Sequence, residues 1–285
     1  MGRKISTQSE RSFEKYLQEN AYTDWEFEPD FAGQTKHPDY LLRWRGDAFL
    51  FEVKELCRKR PVPPAAVHTD PYASLRAEIN EARKQFRGFK GNCCSLVVMN
   101  IDDWEARLDP KFVLAAMLGD LGIAMDFDAR QGRPVEATEQ SAFLKRGKMR
   151  DPKSGQPQNT TVSSIIVLEE YAPPNPAYRQ AFAEEVARRE ANQGRALTAN
   201  EKVSVTHDLM LQQRLSLHLP AVPRVRVIRN PFARIPFPRG LFLGPYDEHW
   251  EYADAEVHRV FAGALAREIE LEERVAGDDE NRLLP

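Results

Sequence analysis

The stretch from His37 to Leu56, HPDYLLRWRGDAFLFEVKEL, decides the fold of this chain because it reads as a β-hairpin. Hydrophobic and more polar residues alternate on both sides of a turn over residues 45–48, in which Gly46 takes the first central position. Antiparallel pairing is then counted back evenly from the turn. The predicted pairs are Arg45 with Ala48, Trp44 with Phe49, Leu42 with Phe51, Leu41 with Glu52, and Asp39 with Lys54.

This register places three charged side chains on one face of the hairpin. Glu52 and Lys54 are two residues apart on one strand, and Asp39 lies diagonal to Glu52, roughly 7 Å away in ordinary sheet geometry. Burying two carboxylates and an ammonium on an apolar hairpin is costly unless a divalent metal and water compensate them. We therefore expect a cation site here. The opposite, core-facing set is Tyr40, Leu42, Trp44, Phe49, Phe51 and Val53.

The arrangement of Pro38-Asp39 followed by Glu52-Val53-Lys54, with Phe13-Glu14 upstream, resembles the PD-(D/E)xK nuclease superfamily. The resemblance covers about the first hundred residues. It implies a restriction-endonuclease-like fold and Mg²⁺- or Mn²⁺-dependent hydrolysis of phosphodiester bonds in nucleic acid, with DNA expected rather than RNA. The resemblance also implies a role for each matching residue: Asp39 and Glu52 as metal ligands, the Val53 carbonyl as a further ligand, Lys54 as the group that orients water, and Glu14 as a ligand bound directly or through water.

The helix acid has two candidates. An apolar stripe at helical spacing predicts a first helix from Ser9 to Asn20. Glu10 and Glu14 lie one turn apart on this helix, so both could face the same side. We favour Glu14, while a solvated surface position stays open for either residue.

Three basic segments are candidates for nucleic-acid contacts, and each has a plainer interpretation. A proline-rich loop after the second hairpin strand would grip phosphate or be a solvated connection. An amphipathic helix from Pro71 to Phe89 would supply an auxiliary cation or amide, or would simply face water. A Gly- and Pro-rich stretch after residue 144 would be a phosphate-gripping flap or a disordered polar segment. The residues concerned are Arg58, Lys59 and Arg60; Lys84 or Gln85; and Lys145, Arg146, Lys148 and Arg150.

The rest of the chain predicts an α/β domain. We expect a mixed central sheet of restriction-endonuclease-like type flanked by helices, with an insertion and additional C-terminal helices. The predicted elements are an apolar strand Cys94–Met99, a second strand Val162–Leu168, helices Asn175–Asn192 and Ala199–Leu217, a strand Arg224–Arg229 and a long helix His249–Arg274. One domain over residues 1–285 is expected: a catalytic core 1–100, an insertion or mobile segment 101–160, and a second half 161–285 packing on the core.

Composition narrows the functional classes. With a net charge of -3 over 285 residues, the chain should not adhere to nucleic acid in general, so contacts must come from local basic patches. Three cysteines without metal-ligand spacing predict neither a disulfide framework nor a zinc site. The absence of a long apolar run or signal peptide leads us to expect a cytoplasmic protein. The sequence does not determine the oligomeric state, and a homodimer is one possibility.

The sequence also allows two other interpretations of its function. The chain could be a nucleic-acid-binding or regulatory scaffold that keeps the nuclease fold without cutting. Alternatively, Asp39, Glu52 and Lys54 could form a structural salt-bridge cluster in an unrelated α/β protein. A dependence of cleavage on metal separates the nuclease from both rivals.

Overall fold

The computed structural model of the chain describes residues 7–57, 70–124, 127–128, 133–134, 140–151, 154, 156–212, 215–253, 256–264 and 267. Its main feature is an eight-stranded mixed sheet. In spatial order the strands are β1 (Trp25–Phe27), β2 (Tyr40–Trp44), β3 (Asp47–Leu56), β4 (Cys93–Asn100), β9 (Val162–Tyr171), β10 (Val222–Arg229), β11 (Glu248–Ala253) and β12 (Glu256–Ala262). Strands β1, β2 and β3 are antiparallel, whereas β3, β4 and β9 run parallel.

Helices and two small sheets accompany the main sheet in the described ranges. The helices are α1 (Gln8–Glu19), α2 (Ala73–Gln85), α3 (Pro110–Leu118), α4 (Pro176–Gln193) and α5 (Ala199–Gln212). The small sheets pair β5 (Gly119–Ala124) with β8 (Gln140–Arg146), and β6 (Phe127–Asp128) with β7 (Arg133–Pro134). The predicted α/β class with a mixed, helix-flanked sheet is confirmed.

The central sheet is buried on both faces. On one face α1 contributes Phe13, whose ring packs edge-on against Tyr40 with the centroids 5.3 Å apart. On the other face Leu41 and Leu50 join a second core that includes Ile79 of α2. The hairpin therefore has two core-facing sides, and the prediction of a single core-facing set was incomplete, because a parallel neighbour and a covering helix bury both faces of β3.

The turn of the hairpin corrects the predicted register. The observed pairs are Trp44 with Asp47, Arg43 with Ala48 and Leu42 with Phe49, a shift of two residues from the prediction. Arg45 and Gly46 both have positive φ, 52° and 88°, which is the pattern of a type I′ turn. That turn matches the twist of the strands, and Gly46 takes its second central position. A shift of two preserves the faces, so continuing the register one step brings Asp39 opposite Glu52.

The start of α1 is fixed close to the end of β3. Thr7 and Glu10 form a capping box, with the Glu10 amide donating to Thr7 Oγ1 and the Thr7 amide donating to Glu10 Oε2. The backbone amide of Ser9 then donates to Glu55 Oε1 at 2.9 Å. These bonds satisfy amides at the helix start and tie α1 to the strand that carries Glu52 and Lys54.

Residues 170–222 form a compact unit of their own. This unit contains α4 and α5, and its small core consists of Tyr178, Leu197, Val205 and Leu209. The two helices predicted in this region are confirmed, although α5 ends earlier than expected. The other compact unit comprises residues 1–169 and 223–285. Within the described part of the chain, no helix is both long and apolar enough to cross a membrane.

The predicted long helix from His249 to Arg274 is wrong over residues 249–253 and 256–262. The chain instead forms β11 and β12, an antiparallel pair at the edge of the main sheet. Trp250 and Tyr252 pack on one of the sheet's cores, while His249, which directly precedes Trp250, is fully buried. This two-residue alternation suits a strand, and pairing with β10 outweighs the helical preference of the neighbouring residues.

His249 predicts a pH-dependent component of stability. Arg229 Nη2 donates to His249 Nδ1 at 2.8 Å, so Nε2 carries the proton and donates to the Phe242 carbonyl. Burial, aided by the charge of Arg229, lowers the pKa of His249 to about 4. Below pH 6.5 the unfolded chain binds a proton at this histidine that the folded chain does not bind, so the contribution of His249 to the free energy of unfolding should fall by about 2 kcal/mol from pH 7 to pH 5.

Urea unfolding of the His249→Gln variant measures this component, since Gln offers one acceptor and one donor but does not titrate. The wild type should lose more stability between pH 7 and pH 5 than the variant does. A His258→Gln variant is the matched control, because His258 on β12 is only half-buried and the hydrogen bond between its ring and the Ala253 carbonyl is exposed. An identical pH dependence in the wild type and His249→Gln would contradict the expectation.

Candidate functional site

The structure brings Asp39, Glu52 and Lys54 together. Lys54 Nζ lies 2.6 Å from Glu52 Oε1, and the Glu52 side chain is buried. Asp39, just before β2, accepts a hydrogen bond from the backbone amide of Val53 through Oδ2 at 2.7 Å. The hairpin therefore positions all three charged groups from two adjacent segments, as the alternation in sequence predicted.

The surroundings of this cluster disfavour the ionised form of both acids, Asp39 and Glu52. Burial, together with the negative charge of Asp39, raises the pKa of Glu52 to about 7 against the opposing effect of Lys54. Burial also raises the pKa of Asp39, although the Val53 amide and Lys54 act in the other direction. The carboxylates themselves raise the pKa of Lys54 against the effect of its burial. One ammonium thus faces two crowded carboxyl groups.

Glu52 has one oxygen with no partner. Its Oε1 receives the Lys54 ammonium, but Oε2 is buried and has no hydrogen-bond donor among the residues that the structure describes. A buried acceptor without a donor costs about 1–3 kcal/mol, and more when it is charged. The cluster is therefore incomplete as a purely structural salt bridge, and a cation or a donor at Oε2 would complete it.

The two candidate helix acids have other partners. Tyr40 Oη donates to Glu14 Oε1 at 2.8 Å, and Tyr40 belongs to the face opposite Glu52. Glu10 serves the capping box, and its charge contributes to raising the pKa of Asp39. Glu14 is thus hydrogen-bonded to Tyr40, whereas the charge of Glu10 acts on Asp39 of the cluster. A direct or water-mediated metal contact from Glu14 stays a prediction.

Helix α2 contributes a positioning contact. Gln85 Nε2 donates to the His37 carbonyl at 2.7 Å, on the segment that leads into Asp39. Lys84 instead pairs with Glu81, Nζ to Oε1 at 2.6 Å, with both side chains more than half exposed. Of the two residues that the sequence left open, Gln85 is therefore the one that contacts the segment carrying Asp39.

Lys36 and Glu78 are neighbours that sequence reasoning missed. The positive charge of Lys36 opposes the rise in the pKa of Glu52 that burial and Asp39 cause, while the negative charge of Glu78 in α2 adds to the rise in the pKa of Lys54. Lys36 lies three residues before Asp39, which was the only signal in the sequence that could have singled it out. Both residues belong to the charged surroundings of the cluster.

The residues predicted to contact nucleic acid have separate locations. Arg58, Lys59 and Arg60 lie outside the described residues. Lys145 belongs to β8, but its side chain is not among those described. Arg146 and Lys148 line a cavity beside α2, and Arg150 is exposed.

Asp39 and Glu52 supply only two acidic ligands. In the ranges that the structure describes, no three or more His, Cys, Asp or Glu side chains are grouped so that they could hold a metal ion. No protein-family model, curated protein or solved structure matches the chain. A functional assignment therefore depends on the geometry and chemistry of this cluster.

Proposed function

We propose that the protein is a metal-dependent nuclease of PD-(D/E)xK type, built on a restriction-endonuclease-like fold, that hydrolyses phosphodiester bonds in nucleic acid. The observation that carries the proposal is the buried, unpaired Oε2 of Glu52 beside Asp39 and Lys54. DNA is the expected substrate.

A divalent cation fits the cluster. Glu52 and Asp39 would hold it, and its charge would satisfy the unpaired Glu52 oxygen and offset the repulsion between the two buried carboxylates. Mg²⁺ and Mn²⁺ favour oxygen ligands, and Mg²⁺ is often held by only one or two carboxylates together with water and substrate phosphate. A pair of acids is thus enough for an ion that is completed by its substrate.

When bound, the ion would lower the pKa of a coordinated water and stabilise negative charge on the phosphate. Asp39 is already oriented for binding by the Val53 amide at Oδ2, so Oδ1 is the oxygen that we assign to the ion. Lys54 uses one of its three N–H groups on Glu52, and the others are assigned to orient the attacking water and a phosphate oxygen. The Val53 carbonyl and Glu14 are proposed as further ligands.

The surrounding fold supports this assignment. Gln85 holds the segment leading into Asp39, and the Ser9 amide links α1 to β3 at Glu55. Asp39 and Glu52 therefore sit on backbone that is secured by both neighbouring helices. A site that must keep two carboxylates in position benefits from such support.

A non-cleaving scaffold that binds nucleic acid or regulates another protein is the second candidate. It is favoured by the lack of a third acidic ligand among the described side chains and by the Lys54–Glu52 ion pair, which partly neutralises Glu52 without metal. A scaffold of this kind would bind nucleic acid equally well with Mg²⁺ or with EDTA.

The decisive experiment incubates the purified protein with single-stranded and duplex DNA and RNA in Mg²⁺, Mn²⁺ or EDTA. We expect cleavage of DNA in either metal, no cleavage in EDTA, and lower activity on RNA. Binding without cleavage in any condition would favour the scaffold. Neither binding nor cleavage would leave the cluster as a structural salt bridge.

A further inference from the structure

A cavity of about 620 Å³ lies between α2 and residues 146–148 and 158–159. Its walls combine guanidinium, ammonium and amide groups, with one acid. The principal lining residues are Asp70, Arg76, Arg83, Arg146, Lys148 and Asn159. All of them belong to the same compact unit of the chain.

The cavity has a surplus of positive charge. Four cations line it, and the acids paired with them are Asp70, 3.5 Å from Arg76 Nη1, and Asp120, 2.5 Å from Arg76 Nη2. Arg76 is 5% exposed, and its Nε is a buried donor without an acceptor in the described part of the chain. Among the described residues, two acids against four cations leave the walls suited to an anion.

The wall opposite α2 is held by backbone contacts. The amides of Lys148 and Met149 donate to the carbonyls of Ala116 and Met117 of α3. Gly147 lies so close to this helix that a Cβ would come within 2.2 Å of the Leu118 backbone. The chain can approach α3 this closely only with glycine at position 147.

Arg146 adopts a conformation that its residue type disfavours. Its φ is +74°, in the left-handed region, and its side chain is 73% exposed at the cavity. Its Nε lies 3.9 Å from Asp120 Oδ2, the partner that it shares with Arg76. Backbone strain at a non-glycine residue is concentrated at functional sites, and here it places a guanidinium at the mouth of a basic cavity.

The cavity and the Asp39–Glu52 cluster use different flanks of α2. Arg76, Asn80 and Arg83 follow one another at helical spacing along the cavity side, whereas Gln85 reaches the His37 carbonyl from another side. A helix with its side chains is about 10 Å across. Since a DNA strand carries one phosphate per 3.4 Å of helix axis, neighbouring phosphates of a bound strand fall within that reach.

We propose that this cavity binds a phosphate group of the nucleic-acid strand, as a second contact apart from the hydrolytic centre. The inference rests on the proposed function for the identity of the ligand. Guanidinium groups and amide N–H donors match the oxygens of a phosphate, and Arg83, donating to Asn159 Oδ1 at 3.1 Å, is already oriented at the cavity.

The test measures binding of a 5′-labelled single-stranded DNA oligonucleotide to the full chain in EDTA by fluorescence anisotropy, over a range of salt. The variants are Arg83→Gln, Lys148→Gln and the double substitution. The double variant should bind at least about tenfold more weakly, and the slope of log affinity against log salt should shrink by about 0.7 for each lost phosphate contact. Arg76 is left unchanged because it is buried and paired.

Arg87→Gln is the matched control. Arg87 lies exposed in the short 3₁₀ helix Phe86–Gly88 that follows α2, and it is not part of the cavity wall. This variant removes the same charge and should bind like the wild type. An equal loss of affinity in Arg87→Gln, or no loss in the double variant, would overturn the proposal.

A titration with inorganic phosphate distinguishes a cavity that binds a nucleic-acid strand from one that binds a small phosphate compound. In isothermal titration calorimetry the wild type should bind phosphate weakly, and excess phosphate should compete with the oligonucleotide. Tight phosphate binding that the double variant abolishes, with oligonucleotide affinity unchanged, would replace the strand by a small phosphate compound. Because binding is measured in EDTA, failure of the hydrolytic proposal would leave these results unaltered.

Discussion

Glu52→Gln and Asp39→Asn should each reduce Mg²⁺-dependent cleavage by at least about 100-fold, more than the 10- to 100-fold loss that follows removal of an outer-shell partner. Each substitution keeps the shape of the side chain but removes a negatively charged oxygen ligand. Glu52 is the more severe case, because its Oε2 has no other partner among the described residues. Initial cleavage rates on duplex DNA at saturating Mg²⁺ provide the measurement.

The stability of the same variants tests the physical cause. Without metal, neutralising one of two crowded carboxylates relieves repulsion, so the melting temperature in EDTA should stay unchanged or rise. Mg²⁺ should stabilise the wild type and not the variants. Glu26→Gln, which removes an exposed acid from β1 of the same sheet, is the matched control and should cleave normally. Undiminished cleavage by Lys54→Ala would refute the mechanism.

Asp247→Ala should cause the largest loss of stability, about 4 kcal/mol or more, because three buried donors would lose their acceptor at about 1–3 kcal/mol each. The carboxylate accepts from Tyr16 Oη at 2.6 Å, from the Val225 amide at 2.9 Å and from the Gly244 amide at 2.6 Å. It therefore links α1, β10 and the turn before β11. Urea unfolding at pH 7 measures the loss.

Two further substitutions show how much each hydrogen bond of Asp247 contributes to the stability. Tyr16→Phe removes one donor and one hydrogen bond, so it should cost about 1 kcal/mol. The loss of stability in Asp247→Asn should lie between those of Tyr16→Phe and Asp247→Ala. One side-chain oxygen can still accept a hydrogen bond, whereas the new amide group points at a donor. Asp30→Ala, at an exposed acid in the same unit, should change stability by less than about 0.5 kcal/mol. A cost below about 1 kcal/mol for Asp247→Ala would show that water replaces the carboxylate.

The main elements of the fold could be predicted from sequence because periodicity survives without tertiary context. The apolar run at Cys94–Met99 lies within β4, next to β3 inside the sheet, and the stripe at Phe13, Tyr16 and Leu17 forms the buried side of α1. Prediction failed at β11 and β12, where contact with a distant strand decided between helix and strand. Local propensity carries no information about such a partner.

Some features of the candidate site could likewise be predicted from the sequence, and others could not. Alternation along the strands determined that Asp39, Glu52 and Lys54 share a face, and this result survived a two-residue error in register because side chains repeat every two residues. Only the tertiary structure decided that Arg45 and Gly46 form the turn, that Glu14 meets Tyr40, and that Gln85 holds the segment leading into Asp39. Those outcomes depend on turn strain and on contacts between elements far apart in sequence, whereas a face depends only on the chain's own geometry.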